Sequence, residues 1–290
     1  MTKFKNAATL VLLLAAPLCS PCRAQEATKK FIVYEFIPYH AHVVGGELSS
    51  VPSLKQYLES LDIHSIKVIY LPRFMTNGHP DEKKIEDIAK SAIGTPGTPV
   101  SFDTEFGNRS HPETIIPGVS EILRIYHRYN TVTPVGVYAT APQNTYAWRQ
   151  DIARFDALNQ RYASIANQVD FLSPVLYNYE GADTEAWKRA AVYNIAAAKK
   201  YNTGKSIVPY ISVTIRLTSS GVNDQTQHGP VRMLTEAEMH TRLETLYDLG
   251  AAGCIVWASS EDRTLDGKVP VFDRNSGWGK ALADFAQAHR

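Results

Sequence analysis

Seven short apolar runs rich in β-branched and aromatic residues, each followed by a helical pattern, constrain the fold of this chain more than any single motif. The runs are Phe31–Ile37, Ser65–Leu71, Pro99–Asp103, Pro134–Ala139, Asp170–Leu176, Ser206–Val213 and Gly253–Trp257. Helical patterns cover Val51–Leu61, Pro80–Ala92, Pro112–Tyr129, Trp148–Asn167, Thr184–Lys200 and Thr235–Leu249, with a last one over Gly277–Ala288. Pro112 with Glu113 in the first turn, and Thr235 three residues before Glu238, are helix start signals. Strands that are apolar along their whole length are buried on both faces, as in a parallel sheet covered by helices. No glycine-rich phosphate loop follows the first run. The pattern therefore predicts an α/β fold, a distorted TIM-like (β/α) barrel of about seven parallel strands, rather than an open doubly wound sheet.

The amino-terminal two dozen residues stand outside this pattern. Lys3 and Lys5 precede an apolar stretch, Ala7 to Leu18, that is too short to span a bilayer and leads to Cys22-Arg23-Ala24. The reading is a secretory signal peptide over 1–24, cut near Ala24, with no membrane anchor and export to a periplasm or the medium. Residues 25–290 then form one barrel domain, about 265 residues, a common size for a single barrel. Removing Lys3, Lys5 and Arg23 lowers the basic residues from 30 to 27 against 29 acidic ones, so a formal net charge of +1 becomes about −2. No nucleic-acid partner is expected of such a balance. Of three cysteines only Cys254 remains, inside an apolar run, which leaves no disulfide framework and makes Cys254 a small core residue. The protein is expected to act as a monomer without a cofactor.

The third run ends in Val100-Ser-Phe-Asp-Thr-Glu-Phe106, where Asp103 and Glu105 are two apart. Alternate residues of a strand share a face, so both acids point into one space at a strand end. Two carboxylates held that close do not both ionise freely, and one has its pKa raised. Such a pair supplies a protonated general acid beside an ionised partner, as glycoside hydrolases require. In a barrel the active site lies at the carboxyl ends of the strands. Those ends read Glu35 and Tyr39, Arg73, Asp103 and Glu105, Tyr138 and Tyr146, Tyr177 with Asn178 and Tyr179, Tyr210, and Trp257 with Ser260 and Glu261. Aromatic faces stack on sugar rings while tyrosine hydroxyls and amides bond their polar groups. The set reads as a cleft for a polysaccharide or oligosaccharide.

Six segments carry a family resemblance: Phe31-Ile-Val-Tyr-Glu-Phe-Ile-Pro38, Val100-Ser-Phe-Asp-Thr-Glu105, Gly136-Val-Tyr-Ala-Thr-Ala-Pro142, Leu172-Ser-Pro-Val-Leu-Tyr177, Val208-Pro-Tyr-Ile211 and the run from Gly250 to Glu261. In this order they resemble the strands of the hyaluronidases, glycoside hydrolase family 56, from about Phe31 to the carboxyl end. The resemblance implies a seven-stranded barrel and substrate-assisted retention, in which the N-acetyl oxygen of the substrate attacks the anomeric carbon. It implies Glu105 as general acid/base, Asp103 as the group that orients and charge-stabilises the acetamido group, and Tyr177 as the tyrosine that holds it. Tyr34, Tyr138, Tyr146, Asn178, Tyr210, Trp257 and Glu261 are the expected substrate-binding residues.

The chain also departs from the family. Phe106-Gly-Asn-Arg109 stands where animal hyaluronidases read Trp-Arg-Pro, a change expected to displace or remove an arginine beside the acids. Glu35 replaces a family tryptophan. The slightly negative balance suits a polyanionic substrate poorly unless Arg73, Arg109, Arg216 and Arg263 gather locally. Two other readings stay open: a carbohydrate-binding barrel without catalysis, and a glycosidase on another linkage that uses Glu35 or Glu261 as second carboxylate. His40 and His42 lack a third nearby ligand, so no metal is expected there. Asn108-Arg-Ser110 fits a glycosylation sequon but follows a bacterial-looking signal. Leu217 to Met233 is read as a long loop that covers substrate.

Overall fold

The computed structural model describes residues 30–43, 46–48, 50–95, 97–143, 151–217 and 229–290. The signal segment, Tyr146, the start of the fourth expected helix and the centre of the 217–233 loop lie outside these residues.

Seven barrel strands appear where the periodicity puts them. They are β1 (Ile32–Phe36), β2 (Ile63–Ser65 and Lys67–Ile69), β3 (Val100–Phe102), β4 (Val135–Val137), β5 (Phe171–Leu172 and Val175–Leu176), β6 (Ser206–Ile207 and Tyr210–Ser212) and β7 (Gly253–Trp257). Parallel ladders join β5 to β6, β6 to β7, β7 to β1, β1 to β2, β2 to β3, and β3 to β4. Between β4 and β5 the ladder thins to one backbone bond, Asp170 N–H to Val135 O at 2.7 Å, with the Asp170 carboxylate accepting from Val135 N–H at 2.8 Å. The result is a distorted (β/α) barrel. Strands β5 and β6 are each split at a proline, Pro174 and Pro209, which has no N–H to give to the ladder.

The helices are α1 (Val51–Glu59), α2 (Glu82–Ile93), α3 (Ile116–Tyr129), α4 (Ile152–Arg161), α5 (Ala163–Gln168), α6 (Thr184–Lys200), α7 (Glu236–Asp248) and α8 (Gly277–Ala288). Thr235 and Glu238 form the expected capping box at α7. The helix expected from Pro112 begins instead as a 3-10 turn, Pro112–Thr114, and restarts at Ile116. Pro117 explains the break, since it fits only the first turn of a helix. The 217–233 segment is also more ordered at its ends than a loop, because Thr214–Arg216 pairs antiparallel with Val231–Met233.

Strand parity sorts the side chains into two cores. Facing the helices are Val33, Ile37, Val100, Phe102, Leu172, Leu176, Ile211, Cys254 and Val256, packed with the apolar stripes of the helices. Facing the barrel interior are Tyr34, Phe36, Ile66, Val68, Tyr138, Phe171, Tyr177, Tyr210, Ile255 and Trp257. Cys254 is fully buried, and burial pushes its thiol far above the ordinary range, which suits a core residue and not a nucleophile. The β1–β7 pairing leaves no room for a side chain at Gly253, where a Cβ would lie 2.2 Å from Ile32 O. Gly253→Ala is therefore expected to destabilise the fold by about 3 kcal/mol, at the upper end of overpacking costs. An unchanged midpoint in urea unfolding would contradict this close approach.

Candidate active site

Along β3 the alternation carries directly into chemistry. Phe102 packs outward on Phe74 and Tyr126, with ring centroids 5.1 and 5.8 Å away. Ser101 turns inward and accepts a 2.8 Å bond from Tyr210 Oη. Past the strand end Asp103 N–H still donates to Ile69 O at 2.9 Å, so the parity persists. Buried Thr104 meets the Thr140 hydroxyl at 3.0 Å, and the flanking Asp103 and Glu105 both reach the mouth of the barrel.

The two acids sit in unlike surroundings. Asp103 is largely buried, and its Oδ1 has no hydrogen-bond partner. Burial pushes its carboxyl up to about 7, the Glu105 charge adds to the rise, and Arg109 opposes it. Glu105 keeps 59% of its side chain exposed and faces Arg109 Nη2 at 3.8 Å. One acid is thus held near the point of proton exchange at neutral pH, and its partner stands open to solvent.

Arg109 corrects an expectation, because the altered Phe106–Arg109 segment keeps an arginine beside the acids. Gly107 makes this possible at φ +70, where a Cβ would also lie 2.8 Å from both Ile115 Cγ1 and Thr114 O. The turn is secured by Asn108, whose N–H donates to Thr114 Oγ1 at 2.9 Å and whose Oδ1 accepts from Ser110 N–H at 3.0 Å. Arg109 then returns to the acids, lies 5.8 Å over the Tyr138 ring, and donates from Nη1 to Ala139 O at 2.6 Å. Ala139 is held at φ +51, a conformation costly for a residue with a Cβ and typical of functional sites.

Aromatic rings cluster at this end of the barrel: Tyr138, Tyr179, Trp257 and Tyr70 keep some exposure, Tyr177 is buried among them, and Tyr210, expected to bind substrate, is fully buried with its hydroxyl on Ser101 and so lies behind the surface. Tyr177 stacks on Trp257 at 5.5 Å and approaches Tyr138 at 6.2 Å and Tyr179 at 6.0 Å, while Tyr138 meets Tyr210 edge-on at 5.1 Å. Burial pushes Tyr138 and Tyr177 well above the ordinary phenol range, so both remain protonated donors. Tyr70 was not among the expected residues. It accepts from Trp257 Nε1 at 3.2 Å, packs on Phe36, and feels the charges of both acids. Its signal in the sequence was a tyrosine near the end of the second run, one residue past the end of β2.

Other expected residues lie elsewhere. Tyr34 faces the interior but lines a 280 Å³ cavity at the amino ends of the strands, with Pro99, Pro134 and Ala252, away from the acids. Asn178 is buried with its amide fully used by backbone and by Arg242, which removes it from the cleft surface. Glu261 is exposed in the turn after β7, its N–H donating to Ser259 Oγ at 3.2 Å. Glu35 points outward, toward Lys55 and Glu59 of α1, and accepts from Ile37 N–H and Ser65 Oγ, so it is no second carboxylate of this cleft. Arg73, Arg216 and Arg263 form no basic groove: Arg73 lines a groove against α2, Arg216 lies 3.6 Å from buried Asp262, and Arg263 donates to the Ser260 and Asp262 carbonyls. His40 and His42 both face Glu47 across a hairpin. No group of three metal-binding side chains occurs among the described residues, and no helix there is long and apolar enough to cross a membrane.

No family model and no curated protein matches the sequence. Among solved structures, active domain 2 of a thermostable chitinase from Pyrococcus furiosus, complexed with chito-oligosaccharides, aligns over 90% of this chain and 95% of its own, with TM-score 0.51 and 14% identity. Bee venom hyaluronidase aligns over 80% of each chain with TM-score 0.44 and 16% identity. An endo-1,4-beta-D-mannanase from Thermotoga petrophila covers 79% of this chain and 76% of its own, with TM-score 0.48 and 15% identity. The chitinase alignment shows that the two chains share a (β/α) barrel fold.

The raised Asp103 carboxyl has a consequence for stability. The folded state keeps the proton up to about pH 7, whereas the unfolded chain releases it near 3.8. Stability from this site is therefore complete below about pH 4 and is lost as pH rises through 7. Asp103→Asn escapes that loss. Its gain over the wild type should grow between pH 4 and pH 8 by on the order of 2–4 kcal/mol. Parallel unfolding curves for the two proteins across that range would refute the buried acid.

Proposed function

We propose that this protein is an exported glycoside hydrolase that cleaves, within the chain, a polysaccharide containing N-acetylhexosamine and retains the anomeric configuration. The observation that carries the reading is the buried Asp103 carboxylate with an unpartnered oxygen, beside exposed Glu105 and inside a ring of aromatic side chains. An acceptor left without a donor in such a place fits the N–H of a bound acetamido group. The shared barrel of a chitinase and the resemblance to hyaluronidase strands support the same class.

The steps follow from these positions. The acetamido oxygen attacks the anomeric carbon while the glycosidic C–O bond breaks and Glu105 gives its proton to the departing oxygen. The pair shares one proton: in the reacting form it sits on Glu105, and the ionised Asp103 accepts the acetamido N–H and stabilises the positive charge of the cyclic oxazolinium. Water, deprotonated by Glu105, then opens that ring at the anomeric carbon and restores the acetamide. Tyr177 orients the acetamido group, and Trp257, Tyr138 and Tyr70 form the wall against the sugar, with fully buried Tyr210 packed behind Tyr138. An uncharged polymer fits this cleft better than a polyanion. Among the described residues Arg109 is the cation beside the acids, and it already faces Glu105.

The test is a screen of the mature protein on chitin oligomers, hyaluronan, chondroitin and deacetylated controls, read as new reducing ends. N-acetylated chains are expected to be cut and deacetylated ones spared, and a thiazoline analogue of N-acetylglucosamine should inhibit. Glu105→Gln is expected to lower turnover roughly 10²–10⁴-fold with binding retained. Efficient hydrolysis of a deacetylated polymer, or a glycosyl ester trapped on a carboxylate, would exclude the substrate-assisted reading. Oligosaccharide binding without cleavage would favour a binding barrel.

A further inference from the structure

Behind the Tyr177 wall lies a buried polar cluster that the proposed chemistry does not use. Arg242 on α7 is fully buried, and its Nε donates to Asn178 Oδ1 at 2.9 Å. The Asn178 amide nitrogen donates to Ser212 O at 2.9 Å and to Thr214 O at 2.8 Å, just past the end of β6. The partners fix the amide orientation, since only its oxygen can face a guanidinium and only its nitrogen can face two carbonyls. Arg242 Nη1 donates to Glu238 O at 3.0 Å, and the guanidinium lies 5.1 Å over the Trp187 ring. Trp187 in turn donates from Nε1 to Leu176 O at 2.9 Å. Both chain neighbours of Tyr177 are thus held from the helix side, Leu176 by α6 and Asn178 by α7.

A buried arginine is costly without a carboxylate partner, and the Glu238 side chain is already taken by Arg232 at 2.8 and 2.9 Å. An apolar residue would fill this helix–barrel interface at less cost. The arrangement is accounted for if it fixes something that packing alone does not. What it fixes is the end of β5, where the chain must present Tyr177 to the cleft in stack with Trp257.

We propose that Arg242 is a positioning residue that, through Asn178, holds Tyr177 in place for the acetamido group; the kinetic part of this rests on the function proposed above. Arg242→Met is expected to lower kcat about tenfold with a smaller change in KM, because the misplaced group acts after binding. In a Tyr177→Phe background the same substitution should cost less than about twofold, since residues acting as a unit are not additive. A residue that merely supports the fold would instead give equal losses in both backgrounds. Arg242→Lys keeps the charge but lacks the fork that bonds Asn178 and Glu238 together, and should not restore turnover. Asn178→Asp covers the case in which Arg242→Met fails to fold. Its carboxylate keeps and neutralises Arg242 but loses both donors to the β6 carbonyls, and the same Tyr177-dependent loss is expected. Crystal structures of these variants give a readout independent of any substrate. Loss of the 5.5 Å Tyr177–Trp257 stack supports the proposal, and an unmoved stack overturns it even if the wild type cleaves nothing.

Discussion

The candidate site depends on the parity of one strand. Along β3 and its extension, Ser101, Asp103 and Glu105 belong to the barrel side, while Phe102 and Thr104 are bound into the layer behind it. A slip of one residue would send Phe102 to the mouth and bury both acids against helices. The register is therefore protected by the most expensive contacts available, a fully buried Phe102 wedged between Phe74 and Tyr126. Packing on one face of the strand specifies chemistry on the other.

That chemistry has a cost that the remainder of the barrel offsets. Asp103 Oδ1 and Arg109 Nη2 are buried without hydrogen-bond partners, and Ala139 sits in left-handed backbone to offer its carbonyl to Arg109. Each such feature costs on the order of 1–3 kcal/mol. Two continuous cores, one between strands and helices and one inside the barrel, supply the opposing stability.

The strands were legible as continuous apolar runs and the helices by their hydrophobic period, and β7 and α6 begin and end where those patterns do. The acids were legible because two residues is the period of a strand. Side chains whose fate depends on partners far along the chain were not. Asn178 follows Tyr177 and looks like a ligand for sugar, yet Ser212, Thr214 and Arg242 claim it. Tyr34 has the right parity but the wrong height, two residues short of Phe36 at the cleft end of β1. Arg109 looked displaced because Phe106-Gly-Asn-Arg109 stands where animal hyaluronidases read Trp-Arg-Pro, and only the Gly107 turn shows that the chain brings it back to Glu105.

The central claim is that a barrel-mouth carboxyl, Asp103, holds its proton to near neutrality beside a second, open acid. A carbon-13 NMR titration of the side-chain carboxyls, with Asp103→Asn to assign the resonance, measures this directly. The account predicts one aspartate titrating at about pH 7, absent from the variant. An Asp103 resonance that titrates in the ordinary carboxylate range near 4 would contradict it.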